Sequence, residues 1–233
     1  MPPKAKFTRA QLQAAALALV DAEGLAALSM RTLATTLGTG PMTLYNYVRD
    51  RGDLDALVVE AVMAEVRLPR ERGDGQHNDW QHDVRAIVEA TWRTVRRHPN
   101  VIPLVLTRRT LHETTLDWAE ALLRALARSG RSGVDLLVAF RTVSGFVMGL
   151  AQAQLAGPLS PDGDKEGDKE GNAHEDVARA QALPPERFPH LIEIARVAAR
   201  FGADREFRAG LDIVIAGLTT KRAAFHLDRS SVA

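Results

Sequence analysis

Over most of this chain apolar residues recur every three or four positions, and nowhere do they alternate in the two-residue rhythm of a strand, so its regular structure reads as helix. The first stripe is Leu12, Ala16, Leu19 and Val20. Thr8 ahead of it, with Gln11 three residues on, has the form of a capping box, and Gly24 closes the segment. Ser29 can cap a second, shorter helix with Leu33, Ala34 and Leu37 on its apolar face. Gly38 after it can take the left-handed conformation that ends helices, and Pro41 suits the first turn of a third. In that third helix, read as Pro41–Val48, Leu44 and Val48 lie four apart and turn inward. Thr43, Tyr45, Asn46 and Tyr47 are left outside, with Arg49 and Arg51 just beyond. Leu54, Leu57, Val58, Ala61 and Val62 begin a fourth helix, predicted from near Arg51 to about Leu68, where Pro69 and the polar stretch 70–78 break it.

The remainder is predicted to be helical too. Val84, Ile87, Val88, Thr91 and Val95 give a helix over Asp83–Arg97, and 101–109 reads as a short one. Thr114–Ser129 follows, stopped by Gly130 and Gly133. Val134–Leu155 is apolar enough to predict burial on most sides. Residues 157–176 hold almost nothing apolar and repeat Gly163-Asp-Lys-Glu as Gly167-Asp-Lys-Glu, the pattern of a mobile, solvated loop. A short helical segment within 175–183, then Phe188–Phe201 and Ala203–Leu227, complete the chain. The expected fold is all-α, in three parts. Residues 1–52 form a three-helix helix-turn-helix unit, 53–76 a connecting helix and linker, and 77–233 a larger helical domain.

Two short helices at a tight turn, the second small and rich in hydrogen-bonding groups, suit a DNA major groove. The alternative is a plain helical hairpin in a core. Thr43 and Asn46 are candidates for base edges, and Arg31, near the start of the second helix, for a guanine. Tyr45, Tyr47, Ser29 and Arg51 suit phosphates. Thr39 in the turn and Pro41 complete the contact set, while Gly40 and Met42 receive no role. Charge agrees with this placement. The whole chain of 233 residues is only +1, but in its first 51 residues Lys4, Lys6, Arg9, Arg31, Arg49 and Arg51 outweigh Asp21, Glu23 and Asp50.

One recognition helix spans few base pairs, so useful specificity predicts a homodimer on a palindrome. Val134–Leu155 and the stripe Phe207, Leu211, Val214 and Leu218 are the predicted four-helix interface, unless both stripes serve only the core of their own chain. Gly145 and Gly149 would allow close helix approach either way. Other chemistries find little support. There is no cysteine, so no disulfide framework, which fits a cytoplasmic location. No signal peptide and no stretch of transmembrane length is expected, and hence no membrane partner. His77 and His82 are five apart, off the spacing that puts two imidazoles on one helical face. Asp162-Gly-Asp-Lys-Glu-Gly167 starts like a calcium loop but has Ala173 where a bidentate glutamate is needed. No phosphate loop, dinucleotide fingerprint or nucleophile motif is present, so no catalytic residue, metal or cofactor is expected.

The order Leu28-Ser-Met-Arg-Thr-Leu-Ala-Thr-Thr-Leu-Gly38, a turn, Thr43-Leu-Tyr-Asn-Tyr-Val48, then Arg49-Asp-Arg51 resembles the N-terminal domain of the tetracycline-repressor (TetR) family of bacterial transcription regulators. Phe188-Pro-His-Leu-Ile-Glu193 and the last long helix are similar to the C-terminal domain of the tetracycline repressors themselves. The resemblance implies a repressor on double-stranded operator DNA, released by a small-molecule effector. An activator or corepressor-dependent regulator on the same scaffold, or a helical small-molecule binding protein or enzyme, are the alternatives. It also implies an effector pocket between helices, for which Trp92, Arg109, Phe146, Met148, Gln152 and Phe201 are candidates. Tetracycline repressors hold a magnesium-chelated drug with a histidine and a glutamate. The corresponding places here read Leu104-Val-Leu-Thr107 and Ala151-Gln-Ala-Gln-Leu155, with neither ligand.

Overall fold

The computed structural model describes residues 6–69, 79–107, 112–156, 178–198 and 200–220. Arg109, His77, the whole expected 157–176 loop with its calcium-like 162–173 stretch, and the predicted last helix beyond residue 220 lie outside the described residues. Among the described residues all regular structure is helical. In chain order the helices are α1 (Arg9–Glu23), α2 (Met30–Thr36), α3 (Pro41–Leu44), α4 (Arg51–Ala64), α5 (Trp80–Arg97), α6 (Ile102–Thr107), α7 (Glu113–Ala127), α8 (Gly133–Ala156), α9 (Pro189–Ala198) and α10 (Ala203–Thr219).

The N-terminal head, α1 to α3 with α4 packed on α1, forms as its capping residues dictate. Gln11 N–H donates to Thr8 Oγ1 (3.2 Å) and Thr8 N–H to Gln11 Oε1 (2.8 Å), which closes the start of α1. At α2, Thr32 N–H donates to Ser29 Oγ (3.1 Å) and Ser29 N–H to Thr32 Oγ1 (2.9 Å), a second box with threonine in the partner position. Leu12, Ala16, Val20, Leu33, Ala34, Leu44, Val48, Leu54 and Val58 meet in the middle of the head. Burying a leucine such as Leu44 fully stabilises the head by roughly 1.5–3 kcal/mol. α4 lies along α1 and closes the head, and it also touches α6 and α7, so the two units share it. It stops at Ala64, short of the predicted Leu68. The Glu65 carboxylate there is taken up by Arg97 (2.9 Å) and His98 (3.1 Å), and Val66 turns into the core.

In the body, the helices from α5 onward, α5 buries Val84, Ile87, Val88, Trp92 and Val95. Buried Thr91 accepts from the Trp118 indole N–H (2.8 Å) and donates to Ile87 O (2.9 Å), which fastens α7 to α5 with both hydroxyl roles filled. Trp92 stacks on Phe207 of α10 (centroids 4.6 Å apart, planes 5° apart), and Phe146 of α8 lies 6.0 Å from the same ring. α8 and α10 run antiparallel, since Phe146 faces Gly210 while Gln154 Nε2 donates to Glu206 Oε2 (2.7 Å). A Cβ at Gly210 would come within 2.6 Å of the Phe146 ring, so the two helices meet this closely because that position has no side chain.

Three expectations for the body need correction. α8 is not buried on most sides: Ala139, Val143, Val147 and Ala151 face the core, but Val134, Leu137, Val138, Gly145 and Gly149 are exposed. Apolar composition told how much greasy surface α8 carries, not how much of it one chain can cover. Its Gly133–Gln154 stretch, with mean hydropathy 1.6, is also long and apolar enough to cross a membrane by length and composition, contrary to the expectation that none is. Here one face packs on α5, α6, α7 and α10, as a core helix does. The stripe on the last helix, finally, serves its own chain. Phe207 and Leu211 are buried, with Val214 and Leu218 packed beside them. The open face of α10 carries Ala209, Ile213, Ala216 and Gly217.

Candidate nucleic-acid interface

The turn between α2 and α3 depends on Gly38, whose φ of 62° lies in the left-handed region that residues with a Cβ rarely adopt. Its N–H donates to Thr35 O (3.0 Å), and Thr39 N–H to Ala34 O (2.9 Å), so the chain leaves α2 with the end of the helix satisfied. Pro41 then opens α3. Regular α-helix ends at Leu44, short of the predicted Val48. Asn46 N–H reaches Thr43 O (3.4 Å) and Tyr47 N–H reaches Leu44 O (2.8 Å), the three-residue spacing of a tightened turn. Leu44 and Val48 are fully buried, as their spacing predicted. They hold this turn to the head and leave Pro41, Met42, Tyr45 and Asn46 facing out, with Thr43 half-buried.

The predicted contact residues divide by what they already hold. Arg31, Pro41, Tyr45 and Asn46 are exposed, Tyr45 by 51%. Thr39 is half-buried and accepts from Lys6 Nζ (3.3 Å), which brings a lysine beside the turn. Ser29 is occupied as the cap of α2. The Tyr47 hydroxyl accepts from Phe7 N–H (3.1 Å), and its ring meets Phe7 edge-on at 6.3 Å. Arg51 donates to Asp55 Oδ1 (2.7 Å), to Leu25 O (3.3 Å) and to Leu28 O, so it straps α4 to the turn ahead of α2. Sequence spacing could show that these side chains leave the apolar face. It could not show that residues some twenty to forty positions away would engage three of them.

Arg49, beside this surface, is engaged by Asp53: its Nε donates to Oδ2 (2.8 Å), and so does its backbone N–H (3.0 Å). Hydrogen bonding by the guanidinium first, then by the backbone N–H, lowers the Asp53 carboxyl to about 2. A depressed carboxyl stabilises the fold fully above its unfolded pKa, near 3.9, and that contribution is lost as pH falls through about 2. The pair is solvent-exposed and its contribution small. Carbon-detected NMR titration should place the Asp53 midpoint near 2; a midpoint near 4 would mean that the bond is open in solution.

Head and body meet at polar joints that spacing did not reveal. His98, at the end of α5, has Nδ1 2.8 Å from Asp21 Oδ2 of α1 and Nε2 3.1 Å from Glu65 Oε2 after α4. Asn100 Nδ2 donates to Val20 O (3.0 Å). Glu60, nearly buried within α4, accepts from Arg9 Nε (3.0 Å), Arg9 Nη2 (2.8 Å to Oε1) and Gln13 Nε2 (2.9 Å). His112 Nε2, at the start of α7, lies 3.6 Å from the same carboxylate. These contacts tie the ends of α5 and α7 to α1 and α4.

Of the predicted effector residues that are described, Trp92 is the most buried, at 2% exposure. Its indole N–H donates to Asp204 Oδ1 (2.9 Å), to which Arg96 also donates (2.7 Å). That indole bond holds the Asp204 carboxyl below the usual range, against the opposing effect of burial and with help from Arg96. Phe146 joins Trp92 through the shared Phe207 ring. Met148 and Gln152 are half-buried further along α8, and Phe201 sits under the Arg205 guanidinium at 5.4 Å.

Comparison with known proteins agrees with this architecture. Residues 72–222 match the family described as "Tetracyclin repressor-like, C-terminal domain". The chain is 35% identical over 153 residues to the HTH-type transcriptional repressor DrrR1 of Streptomyces coeruleorubidus, and 34% identical over 151 residues to an HTH-type transcriptional regulator of Saccharopolyspora erythraea. These matches take in 66% and 65% of this chain but only 56% and 62% of the two relatives. Among solved structures, ActR of Streptomyces coelicolor in complex with actinorhodin superposes with a TM-score of 0.74 at 28% identity, covering 92% of this chain and 96% of that one. With this fold, a helix-turn-helix head and the matched C-terminal domain, the chain belongs to the tetracycline-repressor-like (TetR) family of DNA-binding transcription regulators.

Proposed function

We propose that this chain works as a homodimeric repressor in the cytoplasm, reading a palindromic operator and released by a small organic molecule bound in its body. The observation that carries the reading is the outward face of α3. Tyr45 and Asn46 stand free of the core at the end of a turn whose other side is fully buried, beside Lys6 and exposed Arg31. Of the contact set, Arg31, Thr39, Thr43, Tyr45 and Asn46 approach the groove, with Pro41 setting the helix start. Ser29, Tyr47 and Arg51 serve chiefly to hold that surface in shape. Dimerisation covers the exposed face of α8 together with Ala209, Ile213, Ala216 and Gly217 of α10. Gly145 and Gly149, with open space where a Cβ would stand, let a second copy come close.

The effector, by analogy with the actinorhodin complex of ActR, is a small organic compound seated beside Phe146, Met148 and Gln152. Arg109 and Phe201 complete the candidate lining, with Trp92 as a wall. Release requires that the effector prefer the conformation in which the heads are wrongly spaced; equal affinity for both would shift nothing. The His98 and Glu60 joints transmit that preference through α4.

Quantitative band shifts on duplexes selected from a random pool test the reading. Salt-sensitive, sequence-selective binding supports it, and indifference to sequence at every salt concentration ends it. Asn46→Ala should relax preference at one base step, at a cost of about 1–3 kcal/mol of discrimination, whereas Tyr45→Ala should weaken specific and non-specific binding alike. Reporter transcription with and without effector separates repressor from activator.

A further inference from the structure

α3 carries one side chain that the reading above leaves unused. Met42 is 78% exposed, the most exposed of the large apolar residues described. It stands three and four positions before Tyr45 and Asn46, so the three share the outward face, while Leu44 and Val48 fill the other side of the turn. Its own chain does not cover it. The ground ahead of it carries cations: Lys6 bonds to Thr39 in the turn just before and Arg31 is exposed, while Arg49 beyond is already paired with Asp53. Such cations suit the phosphates of a duplex, and the face between them then meets base edges. In the major groove those edges are polar, with one apolar exception, the C5-methyl of thymine.

We infer that Met42 is a specificity-determining residue whose thioether end packs on the C5-methyl of one thymine in each half-site. This rests on the reading of the chain as a duplex-binding regulator. Contact with the methyl removes apolar surface of both partners from water. Cytosine at the same place offers no methyl and presents an amino donor that a thioether can scarcely satisfy. Discrimination at that pair is therefore by shape and desolvation, whereas Asn46 discriminates by hydrogen bonding.

Deoxyuridine provides the test, because it removes the methyl and keeps every hydrogen-bonding group of thymine. In an operator obtained by selection from random duplexes, each thymine is replaced in turn. The unaltered protein should lose about fourfold in affinity at one thymine per half-site, the equivalent of one methyl group. Met42→Ala should bind the thymine and deoxyuridine duplexes alike at that position and melt like the unaltered protein. Met42→Gln, of equal length, should move the preference there toward adenine. Indifference of the unaltered protein to deoxyuridine at every thymine, or an undiminished penalty in Met42→Ala, overturns the assignment while the regulator reading stands. Failure to select any duplex overturns both.

Discussion

Ile213→Asp should yield a folded monomer whose operator affinity is lower by more than about a hundredfold, the loss expected when two linked half-site contacts become one. Ile213 is 74% exposed on α10. A carboxylate there costs the single chain little, because water already surrounds the position. In the proposed dimer the same carboxylate is buried against its symmetry mate, and two such charges, unpaired in an apolar interface, oppose association strongly. The antiparallel register sets Ile213 level with the 142–145 turn of α8, whose side of the helix is also open. Exposed Val134, Leu137 and Val138 extend the apolar ground toward the start of that helix. Sedimentation velocity with circular dichroism separates the possibilities. A variant that stays dimeric at micromolar concentration places the interface elsewhere; one that unfolds shows that Ile213 also serves the core. Non-specific duplex binding by each head should survive, so the deficit lies in selectivity and should narrow at low salt.

Arg9→Ala should destabilise the chain by about 3 kcal/mol, chiefly by abandoning Glu60. The Glu60 side chain is only 4% exposed, and three of the hydrogen bonds it accepts come from Arg9. Gln13 and the more distant His112 cannot replace a two-pronged guanidinium. Arg9 itself is half exposed, which keeps the loss at the lower end of what breaking a buried pair costs. The cause has its own signature: adding Glu60→Leu to Arg9→Ala should recover more than half of the loss, since no buried charge remains. Urea unfolding of the four proteins of the cycle measures this. A double variant no more stable than Arg9→Ala would trace the loss to packing of the arginine stem instead. Because α4 joins head and body, Arg9→Ala should also blunt the effector response in protein that remains folded.

Much of the head could be read without coordinates, because its signals are local. Thr8 with Gln11, Ser29 before α2, Gly38 and Pro41 act through their own backbone within a few residues, and the helix and turn boundaries followed from them. The inward positions Leu44 and Val48 followed from helical spacing alone. The length of α3 did not, because propensity says little about whether a last turn tightens.

What the sequence determined by itself was an all-helical chain, the place and orientation of the helix-turn-helix, and the small set of side chains directed away from its core. Tertiary structure decided which of those were already engaged. Tyr47 is held by Phe7, and Arg51 by the carbonyls of Leu25 and Leu28. It also decided which face of α10 met its own core and which stayed open, and it brought Asp21, Glu65 and His98 to one joint from three distant stretches. The physical reason is one of range. Caps, turns and helical periodicity are settled between neighbours, whereas a hydrogen-bond partner or a covering surface depends on how whole helices dock, which spacing along the chain does not encode.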